Sequence, residues 1–144
     1  MVRLRVVVRG VSPLIVRTVE VPAEATLQLL HEALLVCLDW SGQHLHVFTI
    51  RAVDYSADWM IDGIDTRNVT LDSLALRVGE RFTWSYDFTA GWVIELRVES
   101  VAGETACAVR CVSGRRRGPP EGVAVRAGSG RGRTHTACSS SSSA

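Results

Sequence analysis

The feature that most limits how this chain can fold is a pair of alternating runs past its midpoint. Phe82, Trp84, Tyr86 and Phe88 share one parity, and Arg81, Thr83, Ser85 and Asp87 the other. Thr89, Ala90 and Gly91 then supply turn chemistry. Trp92, Ile94, Leu96 and Val98 resume the alternation, opposite Glu95, Arg97 and Glu99. A period of two in both runs predicts an antiparallel hairpin with one apolar face. That face is aromatic, so a second layer has to cover it.

A helix can supply that layer. Leu27, Leu30, Leu34, Cys37 and Leu38 form one stripe at helical spacing. Thr26 is placed to cap the helix, and Pro22 ends whatever precedes it. Gln28, Glu32 and Asp39 leave only a narrow polar strip, so the helix is expected to lie mostly buried across a sheet, with His31 half-buried at the stripe's edge. Trp40, Ser41 and Gly42 close it, and Trp40, Trp84 and Trp92 read as core anchors.

Further strands complete the sheet. Leu4, Val6 and Val8 alternate with Arg3, Arg5 and Arg9, and Ile15, Val19 and Val21 alternate with Thr18 and Glu20 across a Gly10–Pro13 turn. Residues 44–53 read as one strand. Residues 54–69, with four aspartates and Trp59, read as a surface loop. A short turn or helix follows at 69–76, and a last strand runs from Ala106 to Val112. The order β-β-α-β-loop-β-β-β predicts an α+β domain, mostly antiparallel and β-grasp-like, with one main helix across the sheet.

Charge divides the chain. Residues 1–109 carry 9 Arg against 14 Asp and Glu, and residues 110–144 carry 7 Arg against one Glu. The second segment is Arg, Gly, Pro and Ser with little apolar surface, so residues 1–112 are expected to form the domain and 113–144 a disordered tail. Arg115, Arg116 and Arg117 there could touch phosphate, although a solvated charge run is the simpler reading. No apolar run reaches the length of a membrane span, and arginines interrupt the N-terminus where a signal peptide needs an apolar stretch. A cytoplasmic protein is therefore expected, with its four cysteines outside disulfides.

Motifs for nucleotide binding or hydrolysis of the common kinds are missing, which favours a non-catalytic domain over an enzyme. His44 and His46 carry the most chemistry. On a strand, residues two apart project from the same face about 6–7 Å apart, close enough for two imidazoles to share a zinc ion. A third ligand would come from Asp87, Cys107 or Cys111. The alternative is that both histidines pack beside Phe48 and Ile50 as hydrogen-bonded residues, with no cofactor. Cys107 and Cys111 would lie about 13 Å apart on a strand, too far for a bridge. Asp87 near the hairpin tip can act as a base or ligand, or can cap turn amides.

Several stretches together resemble the Ri-plasmid ORF-3-like family, also labelled a transposon passenger TnpR family. They are RGVSPLIVRTVEVP at 9–22, TLQLLHEALLVCLDW at 26–40, HLHVF at 44–48 and VTLDSLALRVGERFTWSYDF at 69–88, then Trp92 and, near the end, Cys111, Gly114, Pro119, Pro120 and Glu121. The resemblance implies an α+β fold, a link with plasmids and insertion elements, and no settled activity. It adds Arg17, in the first motif, to the candidate binding residues. The chain departs from the family pattern at Val16, Thr89, Ala90, Ile94, Gly118 and Gly122, mostly positions where the family is polar or aromatic. A site built there would be lost. A resolvase activity does not follow from the label, because the nucleophile segment of a serine recombinase is missing and no serine precedes Ser12. Beyond Glu121 the resemblance stops, as a native flexible tail or a shifted reading frame would make it.

Overall fold

The computed structural model describes residues 1–11, 14–102 and 110–114. Its elements are β1 (Val2–Val8), β2 (Ile15–Val21), α1 (Leu27–Leu38), β3 (His46–Ile50), β4 (Val53–Tyr55), β5 (Arg81–Tyr86), β6 (Trp92–Val101) and β7 (Arg110–Gly114), with short 3-10 turns at Thr66–Asn68 and Asp72–Leu74. The strands form one seven-stranded sheet in the order β4-β3-β5-β6-β1-β2-β7, and every strand pairing is antiparallel. The fold is therefore α+β, dominated by its sheet, with a single α-helix among the described residues.

The expected hairpin is β5 and β6, with Phe82 opposite Leu96, Trp84 opposite Ile94 and Tyr86 opposite Trp92. These side chains join Leu4, Val6, Val8, Val19 and Val21 on one face, and the buried side of α1 closes over them as one core. Helix α1 starts where its cap sets it, with Thr26 Oγ1 accepting from Leu29 N at 3.1 Å. It ends as Asp39 takes a left-handed conformation, φ 62°, and its amide turns back to the carbonyls of Leu35 and Val36.

Three readings need correction. Residues 44–53 are not one strand: Arg51 and Ala52 both have positive φ, 54° and 66°, and make a two-residue hairpin turn into β4. Neither residue is an ordinary choice there. The turn holds because Arg51 grips both Glu80 oxygens, at 2.6 and 2.8 Å, and the carbonyl of Leu74 at 2.8 Å. The sheet thus gains a strand from the stretch read as loop. Phe88 does not extend the aromatic face; β5 stops at Tyr86, Asp87 adopts φ 57°, and Phe88 swings out to 47% exposure. His31 is fully buried rather than half-buried. The last expected strand is described only from Arg110, where β7 pairs with β2. Cys107, Arg115, Arg116, Arg117 and the tail lie outside the described residues.

Candidate functional site

The polar groups that carry chemistry gather where β3 begins and β5 ends. The strand β3 starts at His46, so strand spacing does not govern His44, which lies in the loop before it. The two histidines find separate partners. His46 enters the core beside Phe48 and Ile50, and its ring stacks on His31 of α1, centroids 3.5 Å apart and planes within 13°. Its Nδ1 lies 3.2 Å from Asp58 Oδ2. The same carboxylate oxygen accepts from the His46 backbone amide at 3.1 Å. Ser56 Oγ donates to the His46 carbonyl at 2.6 Å and accepts from Asp58 N at 3.1 Å. The segment 56–58 is thus sewn to the first residue of β3.

His31 completes the inner side. Its Nδ1 accepts from Trp84 Nε1 at 3.2 Å, which places its own ring proton on Nε2 when neutral. Burial, and then the neighbouring His46, hold its pKa down to about 3 from an ordinary 6.5. Burial also lowers the pKa of His46, while Asp58 works against that shift. Both imidazoles are therefore neutral at pH 7. His46 Nε2 is buried without a hydrogen-bond partner. Rings of Trp40, Trp84 and Tyr86 stack alongside, with Trp40 and Tyr86 centroids 4.9 Å apart.

His44 stands at the rim, half-exposed, edge-on to Tyr86 and 3.6 Å from Asp87 Oδ1 through Nδ1, an ion-pair distance rather than a hydrogen bond. Asp87 is itself buried. Its amide donates to Leu45 O at 2.9 Å, its carbonyl accepts from Gly91 N at 2.8 Å, and its Oδ1 accepts from Ala90 N at 3.3 Å. It holds the β5–β6 turn closed against the start of β3. Asp58 and Asp87 therefore bring two loops to one end of the sheet. Those loops show apolar side chains to solvent: Trp59 is 90% exposed, Met60 63% and Phe88 47%.

The remaining candidates lie elsewhere. Arg17 is buried on the core side of β2, where its Nε donates to Cys37 O at 3.3 Å and Nη1 to Val16 O at 3.0 Å. It answers a carbonyl in the last turn of α1, a favourable place for a cation. Cys111 sits on β7, at the opposite edge of the sheet from β3 and β4. The structure does not bring it to His44 or His46. Among the described residues no cluster of three or more His, Cys, Asp or Glu side chains is placed to hold a metal ion. An open groove of about 530 Å³ lies at the other end of β3, lined by Arg51, Ala75, Arg77, Val78 and Glu80. Its Arg51 and Glu80 are already bound to each other. Sequence reasoning missed Ser56 and Asp58, two polar residues in a polar loop. His31 had a signal, since it follows Leu27 by four residues and precedes Leu34 by three.

Fold and site together define an antiparallel α+β sheet domain whose buried histidine–aspartate network ties a loop to the sheet. Residues 1–129 match the family model described as plasmid pRiA4b ORF-3-like protein, and the chain belongs to that family. It is 35% identical over 102 residues to the uncharacterized protein y4hQ of Sinorhizobium fredii, covering 68% of this chain and 53% of that one. The chain thus spans about half the length of this curated relative. A crystal structure of a protein of unknown function, MM3350 from Methanosarcina mazei, superposes with a TM-score of 0.74 at 25% identity, over 84% of this chain and 72% of that one. No helix among the described residues is long and apolar enough to cross a membrane.

Proposed function

We propose that the chain is a non-catalytic binding domain that engages another protein through the loop carrying Trp59 and Met60. One observation carries this reading: a loop pinned to the core by Asp58 and Ser56 holds a tryptophan almost wholly in water. Tryptophan is the residue type that most often anchors a protein interface, and a pre-ordered loop loses less entropy on binding. Phe88 faces out at the same end of the sheet and widens the apolar surface. The titratable groups nearby are engaged in internal bonds, which is why binding is favoured over catalysis. In this reading the domain is a cytoplasmic accessory protein of plasmids or transposable elements, and the family's description as plasmid ORF-3-like supports the plasmid part of it.

Affinity capture with the full chain tests the reading. A partner retained by the wild type is expected to be lost with Trp59→Ala and kept with Val78→Ser, an exposed apolar control. Equal retention by all three would overturn it.

A second reading, zinc binding, rests on the unpartnered Nε2 of His46. A carboxylate holding Nδ1 is how proteins orient a metal-bound imidazole, as Asp58 stands to His46 at 3.2 Å, and Asp87 lies farther from His44 Nδ1, at 3.6 Å. Further ligands would have to come from outside the described residues, Cys107 among them. Stoichiometric zinc surviving dialysis and lost in His44→Ala would favour this reading, and a metal-free protein would dismiss it.

A further inference from the structure

The sheet face turned away from α1 carries a row of charge fixed by strand register. Arg81 stands opposite Arg97, and Arg97 opposite Arg5. Three arginine stems therefore rise side by side from β5, β6 and β1, across two strand spacings or about 10 Å. Arg81 and Arg97 are exposed and Arg5 is half-buried. Among the described residues none of the three has an ion pair or side-chain hydrogen bond. Their neighbours differ: Arg3 and Arg110 share Glu20, at 2.9 and 3.1 Å, and Arg9 holds Glu95 at 3.0 Å. Glu99 lies one row on, where β6 slips past β1 at a bulge.

Like charges directly opposite each other on paired strands cost stability. The row contains two such pairs, Arg81 with Arg97 and Arg97 with Arg5. Two acidic residues, Glu95 and Glu99, flank Arg97 along β6, and among the described residues neither forms an ion pair with the row. Asp58, Asp62, Asp65 and Asp72 lie in the segment between β4 and β5, and Glu24, Glu32 and Asp39 on or beside α1. The three arginines thus form a strip without an ion-pair partner among the described residues.

We propose that this strip docks on the phosphate backbone of a nucleic-acid duplex. Guanidinium groups match phosphate oxygens with paired hydrogen bonds, and a row of them suits a polyanion better than a single carboxylate. Around the strip the face offers Thr49, Thr83, Ser85, Val47 and Val93. Among the described residues of β1, β3, β5 and β6 this face shows no aromatic platform of the kind that captures unpaired bases, which favours a duplex over a single strand. Contact is with backbone and independent of base sequence.

Fluorescence anisotropy of a labelled mixed-sequence DNA duplex with the full chain, over a salt series, tests this. Changing Arg5, Arg81 and Arg97 together to Gln is expected to weaken binding about tenfold or more. It should also flatten the salt slope by about 2.7, from about 0.9 per phosphate contact. Arg97→Gln alone should flatten it by about one. Arg67→Gln, whose charge Asp65 already answers in the segment between β4 and β5, should bind as wild type. The triple variant should melt no lower than wild type, which separates lost binding from lost folding. Trp59→Ala should bind the duplex normally, so this surface stands or falls apart from the loop. The proposal is overturned if the triple variant keeps the wild-type slope. It also fails if polyglutamate displaces the duplex equally well charge for charge, or if a single strand binds more tightly.

Discussion

The two faces of the sheet treat charge in opposite ways. On the face under α1 each buried cation or imidazole is bonded to something the fold supplies. Arg17 meets Cys37 O, His31 meets Trp84, and His46 meets Asp58. On the open face Arg5, Arg81 and Arg97 stand in register with no such answer. Burial forces the difference, because an unpaired polar group in the core costs about 1–3 kcal/mol whereas an exposed one keeps its water. Residues with the most reactive side chains therefore serve the fold where they are hidden. Trp59 and the arginine row, at the surface, are not used by the fold in this way.

The largest expected effect lies on the covered face. Trp84→Ala should cost about 3–5 kcal/mol in urea melts, because the ring is fully buried and also donates to His31. A loss below about 1 kcal/mol would mean that the core does not depend on it.

Acid should come next. His31 is neutral in the folded chain and gains its proton only near pH 3, whereas in the unfolded chain it does so near 6.5. Its lowered pKa gives stability that is fully present above 6.5 and is lost as pH falls from 6.5 toward 3, at up to about 1.4 kcal/mol per pH unit. Asp65 and Glu80, whose pKa values are also lowered in the folded chain, add their own losses only below their ordinary 3.8 and 4.5. The window from 6.5 down to 4.5 therefore isolates the histidines. His31→Gln should flatten the stability profile there, and an unchanged slope would show that burial of His31 does not set it.

Asp58→Asn should cost about 1–3 kcal/mol through the weakened bonds to His46. It should also loosen the loop. Because Trp40, Trp84 and Trp92 are buried, acrylamide quenching of the wild type reports on Trp59, and the variant should shift its lifetime components. The smallest effect belongs to the open face. Arg97→Gln should change stability by no more than about 0.5 kcal/mol, with gain the expected sign. A larger loss would show that the row is held by interactions of its own.

Periodicity made the hairpin of β5 and β6 legible, because the two-residue repeat at Phe82, Trp84, Tyr86, Trp92, Ile94, Leu96 and Val98 assigns every side chain to a face. Thr26 and the leucine stripe did the same for α1. The turn at Arg51 and Ala52 was not legible, since it is stabilised by Glu80 and Leu74, far along the chain, rather than by its own residues. Phe88 misled for a related reason: one left-handed residue at Asp87 ended an alternation that composition alone continued. His44 and His46 were visible as candidates, but their separation into a rim residue and a core residue depends on where β3 starts. Asp58 had no signal, because a loop aspartate gains meaning only from what lies opposite. The arginine row was equally hidden, since Arg5, Arg81 and Arg97 meet only through strand pairing.

The His31–His46–Asp58 network is an inward latch holding the loop that displays Trp59. Nuclear magnetic resonance titration of the two ring pairs tests it most directly. His31 is expected to stay neutral well below pH 6.5, with its proton on Nε2, and His46 to titrate below its ordinary range with a proton on Nδ1 toward Asp58. Both rings titrating together near 6.5, with freely exchanging protons, would contradict it.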